Sequence, residues 1–270
     1  MTKALCAGAV SSNLRSGGLT GILAMNSERI LYFGRLGSTS MRTLGSATIY
    51  VSTDKPFHVK SENEQWREIN CALVPPQVPH QLSVTSQLVS VLVEPERIDV
   101  RNFCQRTVQT DLDRMDLIDL RERLRSLADR MTSCLNYQDL LGAPLDDALS
   151  GTLPERHHID ARIRRILNCI EKNQIESPSA QQCADLADLS FSRFLHLFKD
   201  EIGITFRRFK AWKRARRLLS VVTENTNLTD IALEIGYPDS SHFSNSIRSI
   251  YGFRPKDIFI GSRRMSWHVH

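Results

Sequence analysis

Several things are scarce in this 270-residue chain, and each scarcity closes a route. No apolar run reaches the roughly 18 residues that a membrane span needs. The N-terminus, Met1 to Gly8, lacks an apolar core followed by a cleavage site, so no secretory signal is expected. The six cysteines (Cys6, Cys71, Cys104, Cys134, Cys169, Cys183) are scattered, and no two form C-x-x-C. That spacing offers neither a zinc knuckle nor a redox pair; it suits small thiols in a reducing cytoplasm. The first 155 residues hold only two histidines, His58 and His80, with no H-x-H pair.

What is present is a globular composition, with 41% hydrophobic and 24% charged residues. The net charge of +5 is unevenly spread. Residues 1–155 carry 16 Lys+Arg against 18 Asp+Glu, and residues 156–270 carry 19 against 12. The C-terminal part is therefore net positive, as a part that neutralises phosphates would be. Charge alone is weak evidence, because many solvated surfaces are basic.

Residues 1–100 read as strands. The runs Arg29–Gly34, Ala47–Ser52, Ile69–Val74 and Leu88–Val93 are short, β-branched or aromatic, and separated by Gly, Pro, Ser and Asn. Such spacing suggests a small sandwich or barrel. Pro75 to Pro79 cannot lie in a central strand and reads as a turn or edge. From Asp111 the period changes. Leu112, Met115, Leu117, Leu120, Leu124, Leu127 and Met131 recur at helical steps, predicting an amphipathic helix of roughly twenty residues. It either covers the barrel or, through Leu117, Leu120, Leu124 and Leu127, forms a dimer seam. Residues 142–158 read as a linker, with or without a short helix. A basic helix starts near Asp160, with Ile163, Ile166, Leu167 and Ile170 on one side, and ends before Ser177-Pro178.

The segment Cys183–Gly203 recurs at Ile231–Gly252. Ala184 matches Ala232 at an offset of 48; Phe194, Phe198 and Gly203 match Phe243, Ile247 and Gly252 at 49. One residue is inserted in the turn, so one supersecondary unit is used twice. Each copy reads as helix, tight turn, helix. Asp188 and Gly236 sit at the turn, Ser190 and Asp239 at the N-cap of the second helix, and Gly203 and Gly252 at its C-cap. Phe194, Leu197 and Phe198 face the core in the first unit, and Phe243, Ile247 and Ile250 in the second.

A helix of this kind suits the major groove, where its N-terminal turn meets base edges. The outward positions are Ser192, Leu195 and His196 in the first unit, and Ser241, His242, Asn245 and Arg248 in the second. Leu195 could meet a thymine methyl or another helix. Between the units, Arg193 to Arg217 carries nine Lys/Arg and two acids. Arg193, Lys199, Lys210, Lys213, Arg214, Arg216 and Arg217 are candidate phosphate contacts; the alternative is a solvated basic helix.

Residues 160–262 resemble the DNA-binding domain of the AraC/XylS family of bacterial regulators. The carrying residues are Ser190-x-x-x-Phe194-x-x-x-Phe198-Lys-x-x-x-Gly203, Ile231-Ala-x-x-x-Gly-Tyr-x-Asp-Ser-Ser-His-Phe-Ser244 and Tyr251-Gly-Phe-Arg-Pro255. Departures occur at Asn245, where a basic residue is common, and at Ile247-Arg-Ser, where Phe-Lys-Arg is usual. The resemblance implies an α+β chain: a cupin-like N-terminal barrel with dimerisation helices over 1–141, a linker over 142–158, and an all-α domain with two helix-turn-helix motifs over 159–270. It further implies double-stranded DNA, RNA polymerase and an effector (small molecule or protein) as partners, a homodimer, a cytoplasmic location, and activation of transcription. No cofactor and no metal are expected, nor any enzyme activity. The competing readings are a cupin-type metal enzyme fused to a DNA-binding domain and a nonspecific architectural DNA binder.

Overall fold

The computed structural model describes residues 21–103, 107–133, 137–155, 158–171, 178–222 and 227–269. The readings of Met1–Gly8, Cys6, Cys104, Cys134 and Ser177 lie outside them. The strands are β1 (Gly21–Met25), β2 (Arg29–Gly34), β3 (Gly37–Ser38), β4 (Ala47–Ser52), β5 (Phe57–Ser61), β6 (Arg67–Ile69), β7 (Cys71–Val74), β8 (His80–Val84), β9 (Leu88–Val93) and β10 (Gln109–Thr110). A seven-stranded sheet, β10-β7-β4-β9-β2-β1 plus a C-terminal strand, faces a four-stranded sheet, β3-β8-β5-β6. The expected strand over 69–74 breaks at Asn70. Ile69 pairs with Phe57 in one sheet and Cys71 with Val51 in the other, so Asn70 turns a barrel corner.

Both faces of the large sheet are buried, which is why its strands read as nearly continuous apolar runs. Leu23, Ile30, Tyr50, Ala72 and Leu92 point into the barrel. Ile22, Leu31, Ile49, Leu73 and Val91 point the other way. That second face is covered by α1 (Asp116–Ser133), α2 (Tyr137–Leu141) and α3 (Ala143–Leu149). Leu117, Leu120 and Leu124 are 0% exposed and Leu127 is 3%. The stripe offered as a dimer seam is therefore consumed within the subunit. Period 3.6 shows that a face is apolar and says nothing about what it meets. Leu112 and Met115, counted into that helix by their spacing, precede it and lie exposed at 70% and 79%. The stretch read as a linker contributes α3, whose Leu145, Ala148 and Leu149 pack on the same face.

The C-terminal part consists of α4 (Ala161–Glu171), α5 (Ala180–Leu186), α6 (Phe191–Ile202), α7 (Phe206–Val221), α8 (Leu228–Glu234), α9 (Ser240–Tyr251) and α10 (Pro255–Ser262), followed by β11 (Met265–Val269). The strand β11, in the stretch assigned by sequence to the DNA-binding domain, pairs in parallel with β1 over five residues. Its Trp267 donates from Nε1 to the Leu219 carbonyl of α7 at 2.7 Å. The first helix-turn-helix unit has its own core around Phe194, Phe198, Phe206 and Phe209. The second shares one continuous core with the barrel interior, through Trp212, Leu219, Phe243, Ile247 and Tyr251. No helix among the described residues is long and apolar enough to cross a membrane.

Candidate nucleic-acid interface and effector cavity

The two repeated units are built by the same local devices. Asp188 and Gly236 take positive φ, 54° and 84°, at the turns. The amide just past each turn residue returns to the same small residue: Leu189 N to Ala184 O at 3.0 Å, and Tyr237 N to Ala232 O at 2.8 Å. Ser190 then caps α6 by accepting from Arg193 N at 3.4 Å, and Asp239 caps α9 by accepting from His242 N at 2.7 Å. Each cap satisfies one orphan amide and starts the helix at a fixed phase. That phase buries Phe194 and Phe198, or Phe243 and Ile247. It leaves Ser192, His196, Ser241, His242, Asn245 and Arg248 outside the core, with Leu195 half-buried. Leu197 and Ile250 are only partly buried, at the edge of the core. Phe191, one residue past the first N-cap, is 47% exposed beside Ser192. The N-cap position marks it as a first-turn residue, and the sequence reading passed over it.

The cations divide into two groups. Arg193, Lys199 and Arg217 are exposed, and Arg214 is half-buried with its guanidinium 5.1 Å from the Tyr237 ring centroid. Lys210 donates to the Pro178 carbonyl at 2.7 Å. Lys213 and Arg216, by contrast, face the barrel. Lys213 pairs with Glu94 at 2.5 Å and also with Glu96; Arg216 pairs with Glu94 at 2.9 Å. Glu94, 1% exposed, additionally accepts from Trp212 Nε1 at 3.0 and 3.1 Å. Burial alone would lower the Lys213 pKa, but Glu94 and Glu96 together raise it, so the ammonium stays charged. These two side chains hold the domains together, and their counter-charge is already supplied by protein. A basic helix does not disclose whether its partner is phosphate or a glutamate more than a hundred residues away.

The last turn of α9 is also tied to the barrel. Ser40 N donates to Gly252 O at 2.9 Å, Thr43 N to Ser249 O at 2.9 Å, and Arg42 Nη1 to Tyr251 O at 3.3 Å. Carbonyls that a helix C-terminus leaves unpaired are thus satisfied by the N-terminal part. Gly252, at φ 76°, permits this approach; a Cβ there would sit 2.8 Å from the Ser40 carbonyl oxygen.

Arg42 also lines a cavity of about 230 Å³ between the large sheet, α7, α10 and β11. The walls are mostly apolar, including Leu23, Ile30, Leu44, Leu219 and Trp267, with Arg35, Tyr32 and Tyr50 as polar points. Arg42 Nη2 donates to Tyr50 Oη at 2.6 Å, and Arg42 Nε lies 3.3 Å from His80 Nε2. Arginine can only donate. His80 Nε2 is therefore an acceptor, for Tyr50 Oη at 2.9 Å as well, and Nδ1 carries the proton to Val78 O at 2.9 Å. Burial, then the Arg42 charge, depresses the His80 pKa to about 3. Burial likewise raises the hydroxyl pKa of Tyr50. His80 is fully buried. His58 points outward from β5, on the face opposite to His80, so the two imidazoles do not converge.

Residues 183–259 match the family model described as a helix-turn-helix domain. The transcriptional activator RhaS of Enterobacter sp. (strain 638) is 32% identical over 102 residues, covering 37% of this chain and 36% of that protein. The XylDLEGF operon transcriptional activator 2 of Pseudomonas putida is 27% identical over 128 residues, 45% of this chain and 82% of that protein. The chain thus spans about a third of the length of the first of these relatives. Among solved structures, an apo form of ToxT from Vibrio cholerae aligns over 88% of this chain and 98% of its own, with a TM-score of 0.55 at 11% identity. ToxT with bound unsaturated fatty acid gives 0.52 at 12% identity. The tandem units, the helix that joins them and these likenesses agree on a helix-turn-helix domain over residues 183–259 similar to that of the activators above, and the chain as a whole shares the fold of ToxT.

Proposed function

We propose that this chain is a sequence-specific transcription regulator, an activator, that reads double-stranded DNA with α6 and α9. The supporting observation is the repeated presentation of an outward, mainly polar helix face by matching turns and N-caps. Ser192, Leu195 and His196 are the base-facing set of one helix; Ser241, His242, Asn245 and Arg248 are that of the other. Phosphate contacts fall to Arg193, Lys199, Lys210, Arg214 and Arg217, which stand apart from the ion pairs that Lys213 and Arg216 make with the barrel. The outcome of binding would be read out by RNA polymerase. Residues up to about 149, completed by β11, form the effector module, and those from about 159 to 262 the DNA-binding module.

The effector site is the cavity at Arg42. Apolar walls with two guanidiniums (Arg35, Arg42) and two phenols (Tyr32, Tyr50) against one carboxylate, Asp257, suit a small organic acid with an apolar body. ToxT, of similar fold, has been solved with an unsaturated fatty acid. Arg42 contacts both the cavity and the Tyr251 carbonyl, so an acid engaging it would compete for the donor that caps α9. The test is selection from a randomised duplex library, then affinity measurement for the selected and scrambled duplexes at several salt concentrations. A specific regulator prefers the selected duplex by about a thousandfold or more. Equal affinity at every salt concentration would leave only an architectural binder.

A further inference from the structure

A second, larger cleft of about 430 Å³ lies between α4, α7, the turn after α8 and the turn at Glu96. It touches α4, the joining helix α7, the turn of the second helix-turn-helix unit and the barrel part, and it is separate from the cavity at Arg42. Its lining is unevenly charged. Seven Lys or Arg side chains line it against Glu96, Glu171 and Glu234. Lys213 and Arg216 are neutralised by Glu94 and Glu96, and Arg97 pairs with Glu28. Arg164, Arg214 and Arg217 have no carboxylate partner among the described residues. Lys210, Arg214 and Arg217 succeed one another at four- and three-residue steps and so share one face of α7. Burial, then the nearby Arg214, pulls the Lys210 pKa down, as expected where two cations are brought together. Arg214 is held against the Tyr237 ring, which restrains its fork. Leu167, Phe209 and Ile235 give the cleft an apolar wall.

We propose that this cleft is a phosphate-binding site, in which Arg164, Lys210, Arg214 and Arg217 hold an anionic phosphate group. Guanidinium forks match phosphate oxygens in pairs, and a partly enclosed cleft strengthens each contact. The phosphate belongs either to a phosphorylated small molecule or to the DNA backbone. In both cases the occupant would tie α4 and α7, the helix that joins the two reading units, to the turn of the second unit. Binding of a free anion is independent of the DNA-reading proposal; only the choice of source rests on it.

The test uses the whole chain and inorganic pyrophosphate as probe, titrated by calorimetry at constant ionic strength. The expected result is one saturable site, weakened about tenfold by either Arg164→Gln or Arg214→Gln. Lys55→Gln, exposed in the turn between β4 and β5 and outside the cleft, leaves it unchanged. Non-saturable heat, or the same loss in the Lys55 variant, overturns the proposal. Circular dichroism of each variant checks that its fold is retained. Saturating pyrophosphate is then added to a duplex-binding assay. A competitive loss of DNA affinity assigns the cleft to backbone phosphate, and unchanged affinity assigns it to a free phosphorylated ligand.

Discussion

Replacing Glu94 by alanine removes one carboxylate from the junction of the two parts. That carboxylate is 1% exposed, accepts from Trp212 Nε1 and Lys213 Nζ, and forms an ion pair with Arg216. The Trp212 N–H would be left buried without an acceptor, a loss of about 1–3 kcal/mol. Arg216, with a side chain only 12% exposed, would lose its carboxylate, and Lys213 would keep Glu96 alone. Breaking a buried pair by deleting one member costs about 3–5 kcal/mol. The two terms describe the same desolvated group and do not add. Because Glu96 still serves Lys213, the lower end, about 3 kcal/mol, is the expected loss. Glu94→Gln keeps an acceptor for Trp212 and loses the charge, so it should fall between alanine and wild type. The assay is urea unfolding monitored by circular dichroism. With a slope near 3 kcal/mol per M, the alanine variant should unfold about 1 M earlier. A midpoint shift below roughly 0.3 M would mean that the cluster contributes little and that the domains are held by their shared apolar core. The same geometry separates two neighbouring cations. Lys213→Gln should destabilise the chain without altering the salt dependence of DNA binding, whereas Arg217→Gln should leave stability intact and flatten the salt slope by about one unit.

Other consequences are equally direct. Leu120→Asp places a charge in a site that is 0% exposed, so purified protein should be aggregated or unfolded by circular dichroism; a folded, soluble monomer would return the α1 stripe to the role of a dimer seam. His80 is held neutral with its pKa depressed to about 3, against an ordinary value of 6.5. The unfolded chain therefore takes up a proton between those values that the folded chain refuses. The contribution is intact above pH 6.5 and is lost as pH falls, by about 1.4 kcal/mol per pH unit. The stability–pH slope between pH 6 and 4 should flatten by that amount in His80→Gln, and an unchanged slope would show another group to be responsible. Asn245→Ala should cost about 1–3 kcal/mol on the selected duplex and relax preference at one or two base pairs. His196→Ala should relax a position about 10 base pairs away, and uniform loss across a duplex library would make both residues backbone contacts.

The parts of this chain legible from sequence are those whose determinants are local. The repeated turn declares itself because Asp188 and Gly236 must take positive φ and because Ser190 and Asp239 must cap the second helix of each unit. Each is a demand that a few neighbouring residues settle among themselves. The runs at Arg29, Ala47 and Leu88 became β2, β4 and β9 with the expected bounds for the same reason. What sequence left open was always a question of partner. The α1 stripe could meet a sheet or a second chain, and Lys213 could meet phosphate or Glu94. The strand β11 is five residues long and pairs with residues some 240 positions earlier, so nothing near it announces the pairing. Arg42 stands in no motif at all, yet it acquires three roles once the chain is folded. It hydrogen-bonds Tyr50 and His80 inside the barrel, lines the proposed effector cavity, and donates to the last turn of α9. Burial lowers the pKa of its guanidinium while Tyr50 offsets that in part, and its bonds with protein and with an incoming acid draw on the same five N–H donors. Three of those five are taken by Tyr50, His80 and Tyr251, so an anionic effector that draws the fork towards itself pulls against these three bonds. The third of these is the link to the reading helix, and it is the longest of the guanidinium's oxygen contacts, 3.3 Å against 2.6 Å for Tyr50. A bond that long is the weakest to keep. The proposed coupling therefore runs in one direction: the effector's charge is accommodated at the expense of the cap on α9, which frees the second reading unit to adjust to its groove.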